Sequence, residues 1–245
     1  MKRFKLTIEF DGTNFSGWQI QPNSRTVEEE LEKAFSKILQ QPIDLIGQGR
    51  TDAGVHAKGQ VAHVDLPDTI SPEKLLFGVN GMIGKEIHIH EIEEVDSEFH
   101  ARFDAQYREY EYTILKNTSP LREQTSWFPH HSIDIQKVKE CCALLKGEFD
   151  FSGFSKFNED NYTTLCTILL SEIEDRSEEI VFRISANRFL RNMVRRLVGT
   201  MVEVGKGKMT ISEFKEILEN PASEIRTFTA PAKGLILAKI FYEKT

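Results

Sequence analysis

Cysteine is scarce in this chain. Its 245 residues hold three, the adjacent Cys141 and Cys142 and the distant Cys166. That is no disulfide framework, and the expectation is a reducing compartment. Long apolar runs are also missing, since no stretch reaches the roughly 18–20 residues of a membrane helix. The basic start is broken by Glu9 and Asp11 before a signal-peptide core can form. Glycine and proline, 15 and 8 residues, are too few for collagen or a low-complexity chain. An overall excess of positive charge is absent as well, with 31 Lys+Arg against 38 Asp+Glu and a formal charge of −7. What remains, 40% apolar and 28% charged residues, describes a soluble globular protein, read here as cytoplasmic and without membrane contact. The length fits one large domain or two small ones.

Charge distribution says more than charge sum. Between Arg183 and Lys208 stand seven basic residues (Arg183, Arg188, Arg191, Arg195, Arg196, Lys206 and Lys208) against Glu203 alone. A basic strip on an acidic body suits a phosphate backbone at one face.

Hydrophobic periodicity gives the element order. Phe4, Leu6, Ile8 and Phe10 alternate with polar residues as a half-buried strand. Thr26-Val-Glu-Glu29 has the capping-box pattern, followed by Val27, Leu31, Ala34, Phe35 and Ile38 at helical spacing. Strands are expected at Ile43 to Ile46, Gln60 to Val64 and Ile87 to Val95, with a helix opening at Ser71-Pro72. The second half starts near Tyr107 with a strand through Tyr110, Tyr112 and Ile114. A helix capped by Asp134, a strand pair around Arg176-Ser177, a helix from Asn187 to Val204, a short helix from Thr210 and a closing strand from Leu235 follow. Each half runs strand, helix, strands. This predicts an α+β fold of two similar lobes, 1–105 and 106–245, with mainly antiparallel pairing in a mixed sheet flanked by helices.

The strongest local signal is Gly47-Gln-Gly-Arg-Thr-Asp-Ala-Gly54 with Val55-His56-Ala57. Glycines around Arg50 and Asp52 imply a tight loop presenting a carboxylate beside a guanidinium. On residue types alone, a plain turn with Asp52 bonded to local N–H groups fits as well. The spacing matches neither a dinucleotide fingerprint nor a phosphate-binding loop. The helix from Asn187 places Phe189, Leu190, Met193, Val194, Leu197 and Val198 on one face, with Arg188, Arg191, Arg195, Arg196, Asn192 and Gly199 opposite. His88 and His90 lack a set of partners for a metal. The cysteines read as small core residues, and His56 and His63 as local hydrogen-bonding groups.

Five segments resemble the tRNA pseudouridine synthase A family in its order. They are Phe10-Asp-Gly-Thr-Asn-Phe-Ser-Gly-Trp-Gln19, Gly49-Arg-Thr-Asp-Ala-Gly-Val-His-Ala57 with Gly59-Gln-Val-Ala-His63, and Phe99-His-Ala-Arg-Phe-Asp-Ala105 with Arg108-Glu-Tyr-Glu-Tyr112. The last two are Phe189-Leu-Arg-Asn-Met-Val-Arg-Arg-Leu-Val-Gly199 and Ala230-Pro-Ala-Lys-Gly-Leu-Ile-Leu237. Residues 148–154 depart from the His-Asp-Phe sequence of many members. The resemblance implies a pseudouridine-synthase-like fold with its active cleft between the lobes. It implies isomerisation of uridine to pseudouridine in the anticodon stem-loop of tRNA, at positions 38, 39 and 40. Asp52 becomes the nucleophile, Arg195 its ion-pair partner and Tyr110 the ring that stacks on the target base. Arg50 becomes a phosphate or flipped-base contact. Arg188, Arg191, Lys206 and Lys208 become phosphate contacts. No cofactor or metal is expected, because the isomerisation is redox-neutral, and a homodimer is expected. A non-catalytic RNA-binding protein would have no use for Asp52, and a small-molecule hydrolase none for the late-helix arginines.

Overall fold

A computed structural model describes residues 1–67, 71–159 and 161–242. The chain divides into two compact units, Met1–Gln106 with Leu237–Thr245, and Tyr107–Ile236. Both are α+β with antiparallel strand pairing and flanking helices.

In the first unit β1 (Lys2–Phe10) pairs antiparallel with β3 (His56–Leu66) on one side and β4 (Ile87–Val95) on the other. A two-residue strand, β2 (Ile46–Gly47), joins β3. Of the expected strand at Ile43 to Ile46 only Ile46 joins the ladder, together with Gly47 beyond it. The alternation in β1 turns Phe4, Leu6, Ile8 and Phe10 into the core. Helix α1 (Val27–Leu39) buries Val27, Leu31 and Phe35, and α2 (Pro72–Met82), capped by Ser71 at Lys74 N, packs on α1 and β4. The expected capping box at Thr26 does not form. The first N–H groups of α1 are instead taken by the carbonyls of Gly17 (3.3 Å) and Trp18 (3.1 Å). Thr26 Oγ1 is buried and makes no hydrogen bond among the described residues, and Glu29 pairs with Lys33 at 2.7 Å. The closing strand, β9 (Leu235–Tyr242), lies beside β3 and belongs almost wholly to this unit, not to the second lobe as the sequence suggested.

His63, on β3, accepts the Ala101 N–H at Nδ1 (3.1 Å), which only a neutral ring can do. Burial, followed by the positive charges of Arg3 and His100, pushes this imidazole down from 6.5 to about 4. Protons bind the unfolded chain first, so stability falls as pH drops from 6.5 toward 4. Denaturant midpoints measured across that window should fall for the native protein and fall less for His63→Gln. Equal slopes would remove His63 from the account.

In the second unit the order is β5-β8-β7-β6, all antiparallel: β5 (Ala105–Leu115), β6 (Gly147–Asp150), β7 (Leu165–Asp175) and β8 (Glu179–Ala186). Helix α3 (Ile135–Leu144) is capped by Asp134, which accepts from Gln136 N and Lys137 N. Helix α5 (Ile211–Glu219) carries the capping box of Thr210 and Glu213. All three cysteines are free and buried, and burial pushes the Cys142 and Cys166 thiols up to about 11.

The helix expected from Asn187 starts later, as α4 (Met193–Gly205). Asn192 stands in the left-handed region (φ 61), a geometry that cannot continue a right-handed helix, so residues 187–192 form a bent connector. Arg188 and Arg191 lie on that connector, off the helix. Nor does α4 present a broad face to solvent. From Leu197 to Gly205 every residue is buried, and only Arg195 and Arg196 reach partly outward.

The face of α4 that reads as polar is covered by residues 228–230. A Cβ on Gly199 would stand 2.3 Å from Phe228 O and 2.8 Å from Ala230 N, so glycine alone admits this contact. Gly199→Ala should lower stability by about 2–3 kcal/mol, read as a reduced denaturant midpoint. An unchanged midpoint would show that segment 228–230 moves freely.

Candidate active site

The loop from Gly47 to Val55 leaves β2 and enters β3, and the preceding loop from Asp11 to Trp18 holds it in place. Trp18 N donates to Thr51 O (3.3 Å), Gly54 N to Phe15 O (3.3 Å), and Gly12 N to His56 Nδ1 (3.1 Å). Within the loop, Val55 N donates to Asp52 O (3.1 Å) and Gln60 Nε2 to Gly49 O (3.0 Å). Gly17 (φ +97) sits so close that a Cβ would lie 2.4 Å from Thr51 O. The loop's own glycines contribute less than expected, because only Gly54 has positive φ, at 75. The shape thus comes mainly from a second backbone pressed against it.

Asp52 is half-buried between buried Thr51 and exposed Ala53, and Arg50 is exposed, with its Nε hydrogen-bonded to Gln19 Oε1. Below them, Trp18 is fully buried, its Nε1 donating to Glu28 (3.1 Å), whose other oxygen accepts from Ile20 N (2.9 Å). Burial pushes the Glu28 carboxyl above its ordinary value, against the opposing pull of these two donors and of Arg50. Gln19 and Glu28 were not singled out from sequence. Glu28 reads there as a first-turn helix acid, and nothing local marks it as the support of a loop some twenty residues on.

In the second unit Tyr110 is half-buried on β5, edge-on to Phe189 with ring centroids 5.1 Å apart. That T-shaped contact fixes the phenol ring on the connector that leads into α4. Arg195, in the first turn of α4, donates from Nε to Ala230 O (2.9 Å) and from Nη1 to Asn192 Oδ1 (3.2 Å). Ala230 N returns a bond to Arg195 O (2.9 Å). Beside them the buried Tyr112 hydroxyl donates to Pro231 O (2.8 Å), and burial raises its phenol well above the ordinary range. Thus Arg195 and Tyr112 meet at Ala230-Pro231, Tyr110 packs on the connector at Phe189, and Asp52 and Arg50 share the loop of the first unit.

The basic strip is shorter in space than in sequence. Arg183 is tied to Glu111 (3.0 Å) and Glu174 (3.6 Å), and Lys206 and Lys208 converge on Glu203 (2.9 and 3.7 Å). Lys206 is largely buried and lies over the Trp127 ring, a structural place that corrects its expected phosphate role. Arg191 stays exposed and Arg188 partly so. Among the described residues no group of three or more His, Cys, Asp or Glu could hold a metal. No helix among them is long and apolar enough to cross a membrane.

Comparison with known proteins places this geometry. A family model described as tRNA pseudouridine synthase matches residues 6–104 and 141–243. The tRNA pseudouridine synthase A of Exiguobacterium sibiricum is 36% identical over 245 residues, covering 100% of this chain and 98% of that one. The enzyme of the same name from Bacteroides thetaiotaomicron is 38% identical, covering 99% and 91%. That of Brevibacillus brevis is 40% identical, covering 99% and 100%. Among solved structures, a chain from a Cbf5-Nop10-Gar1 complex aligns at a TM-score of 0.37 and 13% identity, covering 97% of this chain and 59% of that one. Its likeness is too low to add weight.

Proposed function

The chain belongs to the tRNA pseudouridine synthase family, enzymes that isomerise uridine in tRNA, and we propose that it acts on the anticodon arm at positions 38, 39 and 40 with Asp52 as nucleophile. The observation that carries this reading is the Asp52 loop, whose motif is held by a second backbone in a chain related to these enzymes along its whole length. A nucleophile has to be held at attack distance before the substrate arrives, and a loop bonded on both flanks does that.

In the proposed reaction the Asp52 carboxylate attacks the target uridine and the bond from ribose C1′ to N1 of the base breaks. The base turns, C5 bonds to C1′, the bond that Asp52 formed breaks to give back its free carboxylate, the proton on C5 leaves, and N1 gains one. Atoms and electrons balance without an oxidant or a metal, so no cofactor is assigned. Arg195 serves as the cation facing the Asp52 carboxylate, and Tyr110, held by Phe189, stacks on the extruded base. Arg50 contacts the flipped nucleotide or its phosphate, while Arg188 and Arg191 hold the strand. An acidic chain also gains basic surface by pairing, which supports the homodimer that the family resemblance implies.

The test is tritium release from tRNA labelled at uridine C5, followed by mapping of the modified positions. Release confined to positions 38, 39 and 40 is the expected result. Release from another arm of the tRNA would overturn the assigned specificity.

A further inference from the structure

Gly153, Arg196 and residues 225–229 line an open depression of about 540 Å³ in the second unit, within the size range of ligand sites. Its lining contains two arginines, Arg196 and Arg226, and two threonines, Thr227 and Thr229, with no carboxylate. None of these residues belongs to the set named above for the reaction.

Arg196 is incompletely used by the protein. Its Nη1 donates to Ser155 O (2.7 Å) and stands 3.5 Å from Thr227 Oγ1. Its Nε is buried and meets no acceptor among the described residues. That buried Nε–H is costly to leave unpaired, and the charge of a guanidinium held in place by its neighbours at the depression's wall favours an anion there. Arg226 is exposed and makes no ion pair among the described residues. A planar fork, a second guanidinium and two hydroxyls around one depression form a donor set for a tetrahedral oxyanion. Phe228, 38% exposed at the same lining, offers an apolar surface such as the sugar next to a phosphate would cover.

We propose that this depression binds a backbone phosphate of the RNA substrate, held by Arg196 and Arg226 with Thr227 and Thr229. The anion chemistry stands on the lining residues alone. That the phosphate is part of an RNA strand rests on the function proposed above.

The experiment uses the full chain and Arg226→Gln, a change at an exposed side chain, with Arg196→Gln as a second variant. One arm titrates inorganic phosphate against chloride at equal ionic strength and follows the backbone amide resonances of residues 225–229. The other measures tRNA affinity across a salt series and the steady-state constants. Phosphate should shift those amides in the native protein and not in Arg226→Gln. The variant should bind tRNA roughly five- to tenfold more weakly at 0.1 M salt, with a salt slope smaller by about 0.7–0.9. Its KM should rise more than its kcat falls. Phosphate shifts with an unchanged salt slope and KM would overturn the RNA assignment and leave free phosphate as the ligand. No amide shifts and no change in tRNA binding would overturn the site altogether. Native protein that binds phosphate here but releases no tritium would refute the proposed isomerase reading, not the anion site.

Discussion

Asp52→Asn is expected to keep its fold and its affinity for tRNA while tritium release falls on the order of 10⁴-fold or more, the scale of removing a nucleophile. The amide has nearly the shape of the carboxylate but cannot attack. Bonds that shape the loop include backbone ones from Trp18 N, Gly54 N and Val55 N, with Gln60 Nε2 on Gly49 O. These bonds persist in the near-isosteric asparagine variant, so a cooperative unfolding transition close to native should accompany the loss of turnover. The loop is also stiff, with Gly17 pressed against Thr51 O. Asp52→Glu, one methylene longer, should therefore not be accommodated by a shift of the loop, and a displacement of about 1 Å costs about 10²-fold. Comparable release by Asp52→Asn and the native enzyme would end the covalent reading. A collapse in tRNA binding by Asp52→Asn would instead make the residue part of the binding surface.

Much of this fold was legible because its signals are local. Period-two alternation gave β1 and β4, and Ser71-Pro72, Asp134 and Thr210 with Glu213 gave three helix starts. The errors fell where a distant segment decides. Thr26 carries a capping-box sequence, yet carbonyls of the Gly17-Trp18 turn reach the helix start first. The arginine-rich connector has helical composition, and a single left-handed residue, Asn192, ends it. Gly199 looks like part of a polar face because its neighbour, the irregular segment 228–230, comes from thirty residues away. The Asp52 loop was visible as a motif, while its supports, Gln19, Trp18 and Glu28, take their meaning from contacts that no periodicity encodes. The same holds for the depression at Arg196, whose second arginine lies in a stretch without regular structure.

Arg195→Ala should lower kcat about 10²–10³-fold, the effect of removing one fixed electrostatic partner from a reacting centre, with KM for tRNA changed far less. Two roles of this side chain have to be separated. Its fork ties the start of α4 to Ala230 O and Asn192 Oδ1, bonds together worth about 1–3 kcal/mol of stability. Its charge is assigned to the carboxylate of Asp52. Arg195→Lys keeps the charge but loses the planar fork, so it should recover part of kcat while remaining nearly as destabilised as the alanine variant. Added guanidinium at low millimolar concentration, too little to unfold the protein, should restore turnover to Arg195→Ala and do nothing for Asp52→Asn. A purely structural arginine behaves otherwise. In that case kcat would follow stability across the variants, guanidinium would rescue nothing, and cooling the alanine variant would recover its rate. Rescue without recovered stability would place the positive charge, rather than the tether, beside the reacting carboxylate.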